Sequence, residues 1–374
     1  MIILLIVSFI VPVILLVYPL VSFCRYRCFR NPVLKSETYT EPVSIIIACY
    51  NEENYIRNKI LSFLDKKEWI DGSEIIVVSA GSTDMTNEIL KEFEDNHFVQ
   101  IINSDVQLSK IKAVNTAVEY AKHKILVFSD CRQEMKIGSV KQLIHNFNDK
   151  NIGLVMSVLN DSQNDNRQSF FRNLINTLVY YDCQSGSGLN VYGALYAQRR
   201  SIFRKFPEDQ LFDDLYVIIS TLSQNKRLVQ EPNAIIHDLE FNKYYSGERL
   251  ERLVRGLLIF IIKERKMLFK INIPDLIRFM IFKYLKLLLP FSFLAMFISC
   301  IYYLFKFDNL FLTLTIISTT ILSFVFKKTR NIIVLIIRIN YHFITAIFKF
   351  FLLNKRSVKW DKLKVKPDQF IKNR

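Results

Sequence analysis

The chain has 374 residues, 51% of them apolar and 31 of them Phe, with nine Gly and nine Pro, which excludes a disordered, collagen-like or low-complexity chain. Fifty Lys+Arg against 35 Asp+Glu give a net charge of +15, yet residues 327–374 carry 13 basic and 2 acidic side chains and Arg25, Arg27 and Arg30 add three cations, so residues 31–326 are nearly neutral. Cations crowded beside apolar ends suit an anionic membrane surface and exclude a nucleic-acid partner, which needs a basic face on the folded body.

Residues 2–23 are an uncharged run of 22. A bilayer core of ~30 Å needs about 20 residues at 1.5 Å each, so this run is long enough to cross. No basic residue precedes it and three follow, which predicts an N-terminal transmembrane anchor over 1–24 rather than a cleaved signal, with the body on the cytoplasmic side. The cysteines (Cys24, Cys28, Cys49, Cys131, Cys183 and Cys300) form no CxxC pair and have no His cluster beside them. That excludes a zinc or disulfide framework and agrees with a reducing compartment. Cys24 and Cys28 read as apolar residues at a membrane boundary or as palmitoylation sites.

Over 42–262 the pattern changes to short apolar runs alternating with amphipathic stretches. Strands are predicted at 43–48, 74–79, 99–103 and 124–128, with helices at 55–66, 86–95, 111–122 and 139–149. The alternation predicts an α/β domain with a mostly parallel, Rossmann-like sheet flanked by helices. Ligands of such sheets collect at the carboxyl ends of the strands.

Residues 263–286 mix Arg278, Lys283 and Lys286 into an apolar run, the pattern of a helix lying in the membrane interface. Residues 287–305 and 309–326 are uncharged runs of 19 and 18 that can span, with Lys306 and Asp308 between them and Lys327, Lys328 and Arg330 after. Residues 331–352 are apolar but interrupted by Arg338, His342 and Lys349, so they lie flat or re-enter; 287–353 is thus a transmembrane and interfacial region, and 354–374 a basic cytosolic tail. The whole reads as a multi-pass membrane protein with a cytoplasmic catalytic domain and membrane lipids as partners.

Three strand ends carry polar residues. After the first come Ala48, Cys49, Tyr50, Asn51, Glu52 and Glu53; after the second, Ser79, Ala80, Gly81, Ser82, Thr83 and Asp84; after the fourth, Asp130, Cys131 and Arg132. Taken singly, the first two also read as helix caps, with Asn51 and Thr83 or Asp84 as capping residues. A carboxylate at a buried strand end beside an Arg suits a divalent cation shared with a diphosphate, or a structural Asp–Arg pair.

Taken together, the stretches VSIIIACYNEENYI, IIVVSAGSTDMT, SKIKAVNTAVEYAKHKILVFSDCRQ, VYGALYAQRRSIF, FDDLYV and RLERLVRG stand in an order that resembles the family 2 glycosyltransferases, inverting GT-A enzymes that use nucleotide sugars. The resemblance covers about 42–262, and the flanking apolar segments resemble its polysaccharide-synthase-like branch. It implies that Ala48, Tyr50, Glu52 and Ser79 lie at the nucleoside, and that Lys110 and Arg132 meet the donor diphosphate. Asp130 would ligate Mg²⁺ or Mn²⁺, Gly193 to Arg200 would line the acceptor side, and Asp214, beside Asp213, would be the general base. Asn115 falls in the same segment as Lys110, and Arg252 and Arg255 fall on an interfacial helix, Arg255 grouped with the catalytic residues. The sequence departs from the family at three places. Arg132 stands where a second carboxylate is usual, Ser79 and Ala80 where two acids are usual, and the Arg252–Gly256 stretch lacks Gln and Trp. The first departure leaves a one-carboxylate metal site or a metal-independent one. The implied activity is transfer of a hexosyl or N-acetylhexosaminyl unit from a UDP-sugar to a lipid-linked or cell-surface glycan; a processive synthase and an inactive nucleotide-binding scaffold are the alternatives.

Overall fold

The computed structural model describes residues 2–161, 166–208, 213–238, 247–307 and 327–352. Eight strands form one sheet: β1 (Val43–Cys49), β2 (Glu74–Ser79), β3 (Val99–Asn103), β4 (Ile125–Ser129), β5 (Glu134–Met135), β6 (Ile152–Asp161), β7 (Leu195–Arg199) and β8 (Arg227–Asp238). Their spatial order is β3-β2-β1-β4-β7-β6-β8-β5. The unbroken apolar runs explain the centre of the sheet. Ile45, Ile46 and Ile47 of β1 and Ile76, Val77 and Val78 of β2 are buried, which requires cover on both faces. That cover includes the crossover helices α2 (Ile56–Leu64), α3 (Thr86–Lys91) and α4 (Lys110–Tyr120).

The four predicted strands pair in parallel, as expected, and the helix ends fall within a few residues of those predicted. The second half of the sheet is mixed: β7 runs antiparallel to both β4 and β6, and β6 is parallel to β8. This antiparallel insertion has a functional consequence. Ser129, at the carboxyl end of β4, faces Leu195, at the amino end of β7, so the residues entering β7 meet those leaving β4 at one edge. The Asp130 N–H donates to Ala194 O at 3.2 Å across that edge.

Helices α5 (Ser139–His145) and α6 (Asn166–Gln184) follow β5 and β6, α7 (Asp213–Leu222) precedes β8, and α8 (Gly247–Lys263) follows it. Beyond these lie α9 (Arg265–Leu268), α10 (Ile273–Phe279), α11 (Leu289–Phe307) and α12 (Lys327–Leu352). The 139–149 helix predicted from sequence ends at His145 and continues as a 3-10 turn over Asn146–Asn148.

Helix α1 (Ile2–Cys28) is fastened to α6 and α10 through one buried carboxylate. Asp182, 1% exposed, accepts from Tyr18 Oη at 2.7 Å and Ser22 Oγ at 2.9 Å, with Arg278 Nη1 at 3.4 Å. A buried charge is tolerable only when paired and hydrogen-bonded in this way. Elsewhere α1 exposes Ile10, Val13, Leu16, Leu20 and Val21, and α11, which packs on it, exposes Phe291, Leu294 and Phe297. Contiguous exposed apolar surface of this kind needs a non-aqueous partner.

Among the described residues, two segments can cross a membrane by length and composition, Ser8–Cys28 and Ile273–Ser299. The second differs from the separate interfacial helix and span at 287–305 predicted from sequence. Segment α10 passes into α11 through a π-helical turn (Met280–Tyr284) and a 3-10 turn (Leu285–Leu288), so the two are continuous. Helix α12 packs against α8, where Glu251 receives Lys349 Nζ at 2.7 Å. The predicted span at 309–326 and the basic tail at 354–374 lie outside the described residues.

Candidate active site

The loops after β1 and β2 are stitched together, which fixes one wall of the site. Asn51 adopts a left-handed conformation (φ 53°), its N–H donates to Ser82 Oγ at 3.1 Å, and its Oδ1 accepts from Thr83 N at 2.7 Å. The Glu52 N–H donates to Thr86 Oγ1 at 2.8 Å, and Glu53 Oε2 accepts from Met85 N at 3.0 Å. Asn51 is therefore a loop clasp and not the cap of α2, which begins at Ile56. Gly81 (φ 77°) permits the β2 turn, because a Cβ there would meet Val106 O at 2.6 Å.

A small cleft opens at the shared edge of β1, β4 and β7, lined by Ala48, Lys110, Ser129, Asp130, Gly193, Tyr196 and Asp213 among others. Lys110, the first residue of α4, sits between two carboxylates. Its Nζ is 2.9 Å from Asp130 Oδ1 and 3.0 Å from Asp213 Oδ2. Burial alone would lower the Lys110 pKa, but the two acids outweigh it and hold the ammonium well above its usual range.

Asp213 and Asp214 are the first two residues of α7, where the helix dipole favours negative charge. Two tertiary contacts place them. Asn115 of α4 receives Phe206 N on its Oδ1 at 2.9 Å and donates its Nδ2 to Phe206 O at 2.8 Å, clasping the strand of chain that leads towards α7. Gly193 faces Asp214 directly, since a Cβ on it would lie 2.7 Å from Asp214 Oδ1.

The two acids are electrically distinct. Lys110 holds the Asp213 carboxyl low against its burial, while burial and the adjacent Asp213 push Asp214 up to about 8. Asp214 Oδ1 is buried without a hydrogen-bond partner among the described residues. A buried, unpartnered carboxylate oxygen against a cleft-lining glycine is a candidate proton acceptor. Tyr196, buried beside it and stacked on Phe128 at 4.7 Å, has its phenol pushed up by burial and the same two acids.

The other sequence candidates separate into two groups. Arg132 donates its Nε to Glu52 at 3.2 and 3.1 Å and lies 6.0 Å from the Tyr55 ring, so Arg132 and Glu52 form one ion pair at the cleft rim. Cys131 between Asp130 and Arg132 turns inward, its buried Sγ 3.8 Å from Ala48 O, and burial pushes its thiol up. Tyr50 packs at the edge of the core beside Ala48. Ser79 does not face the cleft: it is fully buried and contacts Asn87 Oδ1 at 2.6 Å and Ser82 Oγ at 3.0 Å. Within the 193–200 segment, Arg199 points away and binds the carbonyls of Ile152 at 2.8 Å and Phe147 at 2.6 Å. Arg252 and Arg255 stand on α8, half-buried and outside the residues lining the cleft.

Sequence reasoning included Tyr196 only within the 193–200 segment and treated Lys283 only as an interfacial cation. Lys283 Nζ donates to Asn190 Oδ1 at 3.0 Å, three residues before Gly193, and its charge acts on Asp214. Its signal was available, because an ionisable residue in an apolar span is a functional candidate by default.

Gly193→Ala is expected to displace the Asp214 carboxylate while leaving the sheet intact. Turnover should fall by about 10²-fold, as expected for a displacement of ~1 Å at a reacting group, with nucleotide affinity unchanged. Full activity in that variant would show that Asp214 need not occupy its observed position.

Residues 44–206 match the sequence profile described as Glycosyl transferase family 2. A poly-beta-1,6-N-acetyl-D-glucosamine synthase of Staphylococcus epidermidis is 30% identical over 102 residues, 27% of this chain and 24% of that protein. A synthase of the same name from Staphylococcus aureus is 24% identical over 132 residues, 35% of this chain and 31% of that protein. The chain thus matches 24% and 31% of the length of these relatives. Among solved structures, the mannosyltransferase PcManGT from Pyrobaculum calidifontis, in complex with GDP-Man and Mn²⁺, is similar with a TM-score of 0.72 at 19% identity, covering 92% of this chain and 98% of that chain. That likeness is one of fold.

Proposed function

Residues 44–206 of this GT-A-folded chain form a domain of glycosyl transferase family 2, and from that premise we propose that the protein is a membrane-bound, inverting glycosyltransferase that moves one sugar from a UDP-sugar to a hydroxyl of a lipid-linked or cell-surface glycan. The observation that carries the reading is the single cleft in which Lys110 bridges Asp130 and Asp213 with Asp214 alongside. It separates a charge-holding end from a proton-accepting end, which is the division of labour that a single displacement requires.

In the proposed reaction the acceptor oxygen bonds to the anomeric carbon as the bond from that carbon to the diphosphate breaks. Asp214 takes the hydroxyl proton, and the electron pair leaves on the nucleoside diphosphate. A positioned base contributes about 10²–10⁴-fold to such a step. Lys110 and Arg132 supply positive charge beside the cleft for the departing diphosphate.

The side chains also fit a divalent cation. Two carboxylates, Asp130 and Asp213, converge on one positive point that the Lys110 ammonium marks. Among the described residues no three His, Cys, Asp or Glu form a cage, so Asp130 would hold Mg²⁺ or Mn²⁺ with donor phosphate oxygens completing its shell. When bound, the ion neutralises charge on the leaving diphosphate.

Membrane attachment is supported by the two apolar helical segments and by the apolar surface that α1 and α11 expose. The cations after residue 24 and after residue 326 support a cytoplasmic catalytic domain between several spans.

Purified full-length protein, offered a panel of nucleotide sugars with Mn²⁺, is expected to release UDP from one UDP-sugar, and faster when a glycolipid acceptor is added. No nucleotide release and no thermal stabilisation by any donor would overturn the reading. Products carrying several added sugars would replace single transfer with repeated addition.

A further inference from the structure

Helix α6 ends at Gln184, and the last carbonyls of a helix find no partner within it. Here the shortage runs on into the connection towards β7, and donors from other elements make it good. Arg227 of β8 donates Nη2 to Cys183 O at 3.0 Å and Nε to Gly186 O at 2.8 Å. Arg25 of α1 donates to Ser185 O at 3.2 Å, and Arg278 of α10 donates to Ser187 O at 3.1 Å. The Asn31 N–H donates to Gln184 O at 2.7 Å, so each carbonyl from 183 to 187 has a donor from a distant part of the chain.

Two of these donors, Arg25 and Arg278, belong to the segments long and apolar enough to cross a membrane. They close over one residue: a Cβ on Gly186 would lie 3.3 Å from Arg25 Nη2 and 3.4 Å from Arg278 Nη2. Like charges so near repel unless acids hold them. Asp182, 1% exposed, lies 3.4 Å from Arg278 Nη1, and Asp275 accepts from Arg278 Nη2. Arg278 is buried, so its planar fork is set between two carboxylates and a carbonyl with little water to stand in for any of them.

The connection then runs without slack to the reacting group. Gly188 donates its N–H to Leu228 O at 2.8 Å, and a Cβ on it would lie 2.6 Å from Cys183 Sγ. Leu189 and Val191 are buried, and Gly193 follows, against Asp214 Oδ1. A close-packed segment passes a displacement at one end to the other.

We propose that Arg278, with Arg25 beside it, is a positioning residue for sugar transfer: it fixes the α6–β7 connection by its carbonyls and so holds Gly193 against Asp214. This rests on the transferase reading and adds that the two apolar segments serve the site itself, beyond attaching the chain to a membrane.

The test uses the full chain in phosphatidylcholine nanodiscs and reads amide hydrogen exchange together with transfer kinetics. Arg278→Gln should raise exchange about 10-fold at the amides of 188–194, while those of β1 and β2 keep the parental rate. Its turnover should fall by about 10- to 100-fold with KM for the UDP-sugar unchanged, the scale for a displacement of up to ~1 Å at a reacting group. UDP affinity equal to the parent's reports that it is folded. Arg25→Gln, which leaves Asp182 and Asp275 paired with Arg278, should show the same changes in smaller measure. Arg278→Lys keeps the charge without the fork and should stay closer to Arg278→Gln than to the parent. Parental turnover in both glutamine variants would overturn the proposal, and so would full recovery in Arg278→Lys, which would reduce the residue to a charge. Exchange raised throughout the sheet in both glutamine variants would overturn it in favour of a general role in stability. A parent that transfers no sugar, with exchange raised only at 188–194 in the variants, would remove the transferase reading and leave the hold on the connection standing.

Discussion

Asp214→Asn is expected to keep nucleotide-sugar affinity and lose about 10²–10⁴-fold in turnover, because the amide fills the same space and cannot take the acceptor proton. Two pH signatures should accompany the loss. In the parent, turnover should climb as pH approaches and passes about 8, since burial and Asp213 keep the Asp214 carboxyl protonated below that. The second signature is thermal and needs no substrate. An unfolded Asp loses its proton near the ordinary 3.8, whereas folded Asp214 keeps it to about 8, so the stability linked to this proton is full below 3.8 and is lost as pH rises through 8. Asparagine does not titrate. The melting temperature of Asp214→Asn should therefore gain on the parent's between pH 5 and pH 9. A variant with parental turnover, or a melting difference that is flat over this range, would remove Asp214 from the proton-accepting role.

Lys110→Met should produce the second large effect, by a different route. The lysine is the shared counter-charge of Asp130 and Asp213, and without it two acids within one side chain's reach face each other uncompensated. Transfer efficiency should fall by about 10²–10³-fold, the scale for removing one preorganised electrostatic contact from a reacting site. Nucleotide affinity should fall with it, which distinguishes this variant from Asp214→Asn. The variant should also melt at a lower temperature than the parent, and Mn²⁺ without nucleotide should restore much of the difference, since the freed carboxylates can share the ion in place of the ammonium. Calorimetry with and without Mn²⁺ checks this. A melting temperature indifferent to both the substitution and the metal would mean that the bridge does not hold the acids together.

The central parallel strands were legible because burial on both faces demands apolar runs such as 45–47 and 75–78, and these alternate with amphipathic stretches. The acids Asp130, after β4, and Asp213 and Asp214, opening α7, were legible through motif order; Asp130 and Asp213 line the cleft and Asp214 lies against Gly193. Three other motif residues turn away from the cleft for a common reason. Ser79, Asn115 and Arg199 stand in the same motifs, yet their side chains bind the protein's own backbone or neighbouring polar groups. A motif records which residues occur near a site and not which way each side chain turns; that direction follows from which backbone groups nearby are left without partners.

What the amino-acid order determined by itself was the alternation of strand and helix, the apolar segments at the two ends, and the acids after the strands, because each depends on local periodicity, run length or turn chemistry. Only the tertiary structure decided that β7 enters antiparallel beside β4, and hence that Gly193, Asp130 and Asp213 share one cleft although 83 residues separate the two acids. It alone showed Lys110 between two carboxylates and the Lys283 charge acting on Asp214. Those relations arise from strand pairing and burial between distant segments, where the free energy belongs to the pair in contact and neither segment carries a trace of the other.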